Sequence, residues 1–113
     1  MSGRRLPRRV AALAALAVLS GPALAASQVT LACEAVYQPS REVWVRTVRI
    51  DHDQRRITAV TIDGAPVFQF QVEGTVLATG LDNERIRIDT AALTWESDFR
   101  GMAQSQGRCE RTP

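Results

Sequence analysis

An all-β domain is the fold this sequence predicts: a small antiparallel meander of about seven or eight strands, closed or nearly closed into a barrel. Three observations predict it. Beyond position 26 the apolar residues recur at every second position, as on strands with one buried face, and no stretch repeats at the helical period. Turn signals (Asp63-Gly64, Glu73-Gly74, Gly80-Leu81-Asp82-Asn83) cut this pattern at intervals of roughly ten residues, the spacing of short hairpin-linked strands. Finally, Cys33 and Cys109 fall in the first and last of these strands, where a disulfide would join the two edges a barrel has to seal.

The residues before the first strand read as an address. Arg4, Arg5, Arg8 and Arg9 form a positive region, Val10–Leu19 is apolar, and Ala23-Leu24-Ala25 supplies small residues at the positions a signal peptidase requires. This is the three-part pattern of a secretory signal peptide, residues 1–25, helical in the precursor and cut between Ala25 and Ala26. An apolar run this short falls below the roughly 20 residues of a spanning helix, so the mature form is expected not to cross a membrane. Removal leaves residues 26–113 as one β-domain, with localisation in the periplasm or outside the cell. It also reverses the charge. Four of the 14 basic residues lie in the signal, leaving 10 against 12 acids, a net of −2 in place of +2. The apparent basicity belongs to targeting and gives no support for binding nucleic acid.

An exported domain of this size is marginally stable unaided. A Cys33–Cys109 disulfide would constrain most of the chain, worth roughly 4–5 kcal/mol if its effect is chain entropy.

In order along the chain, Val29, Leu31, Cys33, Ala35 and Tyr37 share one face of the first strand, with Thr30 and Glu34 opposite. Gln38-Pro39-Ser40 ends it, because proline cannot donate to a ladder. In Val43–Asp51, Val48 and Ile50 face the core with Trp44 in phase as an anchor, while Val43 and Val45 are out of phase and call for a bulge or double cover. Asp51–Arg55 is a polar turn, and Val60 and Ile62 alternate with Thr61. Asp63-Gly64 marks a hairpin, of four residues if Ala65-Pro66 belong to the loop. Val67–Val72 aligns Phe68, Phe70 and Val72 against Gln69 and Gln71. Strands at Thr75–Thr79, at Glu84–Asp89 with Ile86 and Ile88 inward, and at Leu93–Glu96 with Leu93 and Trp95 inward come next. The last is expected around Gln106–Glu110.

No catalytic, cofactor-binding or metal-ligating constellation emerges, so we expect a non-catalytic protein without cofactor or metal. Asp51-x-Asp53 could open a calcium loop, but Arg55 and Arg56 occupy ligand and glycine positions and Ile62 stands where the closing glutamate should be. Ala103-Gln104-Ser105-Gln106-Gly107 lacks the first glycine of a nucleophile elbow. His52, the single histidine, lies in a turn far from Ser105, reads as exposed, and cannot assemble a zinc site alone. Glu84, Asp89, Glu96 and Asp98 read as surface charges paired with Arg85, Arg87 and Arg100. Cys33 is a poor lipidation site, since Thr30 stands where a lipoprotein box carries leucine.

The signal peptide, Leu31-Ala32-Cys33 in the first strand, Trp95 in a late one and Gly107-Arg108-Cys109 in the last together resemble small bacterial periplasmic β-barrel proteins, many without an assigned function, in the general style of the inhibitors of c-type lysozyme. The resemblance implies a barrel and, by analogy of fold, inhibition; the absence of a catalytic constellation, with export and small size, leads us to expect a domain acting through a periplasmic protein partner, in envelope maintenance or inhibition. This chain lacks the second cysteine pair of those inhibitors and has no stretch matching their lysozyme-inserting loop. A barrel binding a small apolar ligand, lined by Trp44, Phe68, Phe70 and Trp95, is the alternative, with the same four rings serving otherwise as core.

Overall fold

The computed structural model describes residues 27–113. The expected signal peptide at 1–25, the expected cleavage between Ala25 and Ala26, and the expected start of the domain at 26 therefore lie outside the described residues. Nine strands follow one another: β1 (Ser27–Gln38), β2 (Val43–His52), β3 (Ile57–Ile62), β4 (Ala65–Pro66), β5 (Phe70–Glu73), β6 (Val76–Leu81), β7 (Glu84–Asp89), β8 (Thr94–Phe99) and β9 (Ala103–Thr112). They form one antiparallel sheet in the order β4-β3-β2-β1-β9-β8-β7-β6-β5, curled into a half-barrel.

The first and last strands meet at the centre of this sheet. β1 pairs with β2 on one side and β9 on the other, and Cys33 stands directly opposite Cys109. The expected disulfide forms, but it staples two central strands and does not join the edges of the sheet, which are β4 and β5. Gly107 shows how tightly they are drawn together. A Cβ built there would lie 1.5 Å from the Glu34 carbonyl oxygen, so no larger residue fits without separating β1 from β9.

The barrel does not close, and the strands number nine. The two free ends of the sheet, β4 and β5, are neighbours in sequence but share no ladder. Asp63-Gly64 makes a two-residue turn with both φ angles positive, 51° and 84°, as a tight hairpin of right-twisted strands requires. Ala65 and Pro66 then pair back onto β3, with Pro66 opposite Thr61 at a position whose nitrogen faces away from β3. The predicted strand Val67–Val72 is reduced to Phe70–Glu73. Val67 turns its N–H to the Val60 carbonyl, and Phe68 projects wholly into solvent.

Elsewhere the alternation holds. Leu31, Cys33 and Ala35 of β1, Val48 and Ile50 of β2, Val60 and Ile62 of β3, Ile86 and Ile88 of β7, and Trp95 of β8 all enter the core. Arg49, Arg85 and Arg87 point outward. At about 25 cal/mol per Å², each such aliphatic side chain is worth about 1.5–3 kcal/mol on burial. Asp82-Asn83, with φ of 51° and 69°, turns β6 into β7, and β9 begins and ends beyond the expected Gln106–Glu110.

Candidate interaction surface and the polar network beside it

β2 has two unlike halves. From Val48 to His52 it pairs with β1 on one side and β3 on the other. From Val43 to Arg46 it pairs with β1 alone, because β3 stops at Ile62, opposite Val48. The hydrogen bonds show which backbone groups this leaves open. Thr47 donates its N–H to Asp63 Oδ1 and accepts from the Asp63 N–H, 2.9 and 2.8 Å, on the side away from β1. Two residues earlier on an antiparallel strand the same side is presented again, so the N–H and C=O groups of Val45 and Val43 point the same way. Among the described residues they meet no partner. Tyr37 N–H bonding to Glu42 O at 2.8 Å fixes the opposite phase, in which Trp44 and Arg46 pair with β1.

The side chains of this stretch are exposed on both faces of the sheet. Val43 and Val45 lie on the outer face, 59% and 62% accessible, and Trp44 on the inner face at 58%. Trp44 makes an edge contact with the partly buried Tyr37, centroids 6.5 Å apart. The sequence placed Trp44 as an anchor in phase with Val48 and Ile50. The phase is correct, but β3 is too short to cover it. The parity conflict at Val43 and Val45 resolves without the expected bulge or double cover: the register with β1 runs unbroken and leaves both on the outer face, and the irregularity of β2 lies instead at Asp51/His52. Sheet edges in soluble proteins are ordinarily blunted by proline, lysine, a bulge or a covering loop. None of these four occurs within Val43–Arg46, where the one charge, Arg46, is turned inward and paired with Asp63 and Glu84.

The four rings proposed as core or ligand lining do not assemble. Trp95 is buried at 1% exposure, Phe70 is half-buried, and Trp44 and Phe68 face solvent. An apolar cavity of about 200 Å³ occurs at the other end of the half-barrel, walled by Val29, Leu31, Ile50 and Ile57 with His52 and Arg111 at its rim. It uses none of those rings and is smaller than the roughly 300–1,000 Å³ of an ordinary ligand site. His52, expected to be exposed, is half-buried there.

Beside the free edge the inner face is polar. Arg46 projects inward over the Trp95 ring, 5.0 Å from its centroid, a cation–π contact. Its Nε donates to Asp63 Oδ2 at 2.6 Å and its NH1 to Glu84 Oε1 at 2.9 Å and to the Tyr37 hydroxyl. Glu84 Oε2 accepts from Tyr37 and from Ser97, both at 2.6 Å. Ser97 is joined in turn to Ser105, which accepts the Trp95 indole N–H at 2.8 Å. Donor order is consistent along the row: Trp95 to Ser105 to Ser97 to Glu84. Glu84 is thus a buried acceptor, not the surface charge expected from its place beside a turn. Of the expected surface pairs, Arg87 and Glu96 do meet, at 3.5 Å. No sequence pattern links Tyr37, Arg46, Glu84, Ser97 and Ser105. What signal existed was parity, since each shares a face with its strand's core residues.

Burial pushes the Glu84 carboxyl upward, but hydrogen bonds from Ser97, Tyr37 and Arg46 with the Arg46 charge outweigh it, and its pKa lies below the ordinary value. Burial raises the Tyr37 phenol, and its bond to Glu84 adds to this. Burial opposes the Arg46 charge, yet Glu84 and Asp63 more than compensate and hold the guanidinium protonated.

The Ser97 hydroxyl that meets the Glu84 carboxylate is buried with it. Ser105 is fully buried on a straight strand opposite Tyr37. His52 stands opposite Ser27 at the far end of β1, about 33 Å away at 3.3 Å per residue. The Asp53 carboxylate accepts the Arg55 and Arg56 amides at 2.7 and 2.9 Å, closing a turn. No group of three or more potential metal ligands occurs among the described residues.

No family model, curated protein or solved structure matches this chain. Within the described residues no helix is long and apolar enough to cross a membrane, and the buried disulfide is compatible with an oxidising compartment.

Proposed function

We propose that this chain is an exported, periplasmic, non-catalytic β-domain that acts by binding protein at the free edge of β2, in enzyme inhibition or envelope maintenance. The observation that carries the reading is the coincidence at Val43-Trp44-Val45 of unpartnered strand backbone with apolar side chains exposed on both faces. Strand addition to such an edge draws affinity from main-chain hydrogen bonds and specificity from alternate side chains. The signal-like N-terminus and the disulfide support export. The buried network beside the edge supports the reading too, because it fixes Arg46, and with it the strand, at the point where β3 gives out.

The test compares the processed protein with a Val43→Glu/Val45→Glu variant. Both substitutions sit on the outer face and disturb no core contact. The wild-type edge is expected to hold a protein partner, self or other, that the variant does not hold, and neither protein should turn over substrates on a hydrolase panel. Equal behaviour of the two proteins, or a hydrolase activity, would overturn the reading.

A further inference from the structure

We infer that the strand added at this edge comes from a second copy of the chain, the two β2 strands pairing antiparallel about a two-fold axis through Trp44. The inference rests on the reading of the edge given above and names its occupant.

The free stretch is matched to itself in length. At one end it is bounded by the β1–β2 turn, where Arg41 takes a φ of 67° and leaves the strand direction. At the other it is bounded by the Asp63 hairpin, which occupies the outward groups of Thr47. Only Val43 and Val45 lie between with open hydrogen-bonding groups. Pairing Val43 of each copy with Val45 of the other satisfies all of them with no overhang. A copy's strand turns away at Arg41, at the place where its partner's edge is already taken.

The charges favour the same arrangement. Each edge carries Arg41 and Glu42 at its start and Arg46 and Asp63 at its end. Antiparallel pairing sets Glu42 across from Arg46 and brings Arg41 toward Asp63, whose carboxylate is partly exposed. Parallel pairing would set like charges together. The apolar faces close as well, with valine against valine outside and the two Trp44 rings adjacent inside, a self-complementary contact of the kind two-fold symmetry demands.

Three arms test this with the processed protein. Sedimentation over a wide concentration range is expected to show a monomer–dimer equilibrium, and a chain monomeric throughout would overturn the inference. The broader reading of the edge would then be decided separately by partner retention. Val43→Glu/Val45→Glu sets like charges opposite each other and is expected to abolish the dimer. Val43→Lys/Val45→Glu sets opposite charges at the same two positions and is expected to keep it. A dimer that survives the first variant, or is lost equally in both, would overturn the register. Trp44→Cys meets its own copy in a closely spaced pair and is expected to give a disulfide-linked dimer on mild oxidation, whereas Val43→Cys, which faces Val45, is not. Equal cross-linking of the two cysteine variants would contradict the two-fold.

Discussion

The two halves of β2 carry the same kind of sequence and have opposite fates. Val48 and Ile50 are buried between strands on either side, whereas Val43, Trp44 and Val45, no less apolar, stand in water. Alternation sets Val43 and Val45 on the outer face, exposed as Arg49 is, but Trp44 shares the inner face with Val48 and Ile50, and no local property distinguishes it from them. What does is the position of Asp63-Gly64, nearly twenty residues away in sequence, which turns β3 back at Ile62 and leaves the first half of β2 without cover. For an inner-face residue such as Trp44, burial follows the length of the neighbouring strand.

Substitutions at the seam, in each half of β2 and at their boundary test this contrast. The largest effect is expected at the seam that holds β1, and so both halves of β2, in place. Replacing Cys33 and Cys109 by alanine should cost about 4–5 kcal/mol in the chain-entropy view, read from urea unfolding. Gly107→Ala should cost about 3 kcal/mol or prevent folding, because its Cβ collides with the Glu34 backbone. In the covered half, Ile50→Ala should lose about 2–5 kcal/mol.

At the boundary between the halves, Glu84→Gln removes the charge facing Arg46 and should cost about 3 kcal/mol. That is the low end for breaking a buried pair, since Asp63 still serves the guanidinium. The same link gives a pH dependence. Because the folded pKa of Glu84 is depressed, its contribution is fully present above the ordinary carboxylate range and is lost as pH falls through the lower folded value. Acid titration of the unfolding midpoint should show that loss, diminished in Glu84→Gln. The smallest effect belongs to the open half, where Val45→Thr should change the stability of the monomer by less than about 0.5 kcal/mol.

Much of this fold is legible in the sequence, and the failures have physical causes. Glu84–Asp89 reads correctly because its alternation is strict and the turn signal Gly80-Leu81-Asp82-Asn83 precedes it. Cys33 opposite Cys109 reads correctly because no other pairing exists. Phe68, Phe70 and Val72 mislead because their alternation promises a buried face, while the pairing with β3 stops at Val67 and β5 begins only at Phe70. Glu84 misleads because a carboxylate beside a turn is ordinarily solvated, and its partners Arg46, Tyr37 and Ser97 come from three other strands. The free edge is invisible to any local pattern, since it consists in a strand that is not there.

The most direct test is amide hydrogen exchange along β2, resolved by residue, at a concentration low enough for the chain to be monomeric. A free edge predicts alternation: Val43 and Val45 exchange rapidly, Trp44 and Arg46 slowly through their bonds to β1, and Arg49, bonded on the β3 side, slowly as well. Protection of Val43 and Val45 equal to that of Trp44 and Arg46 would show the edge already covered within one chain, and would contradict the account.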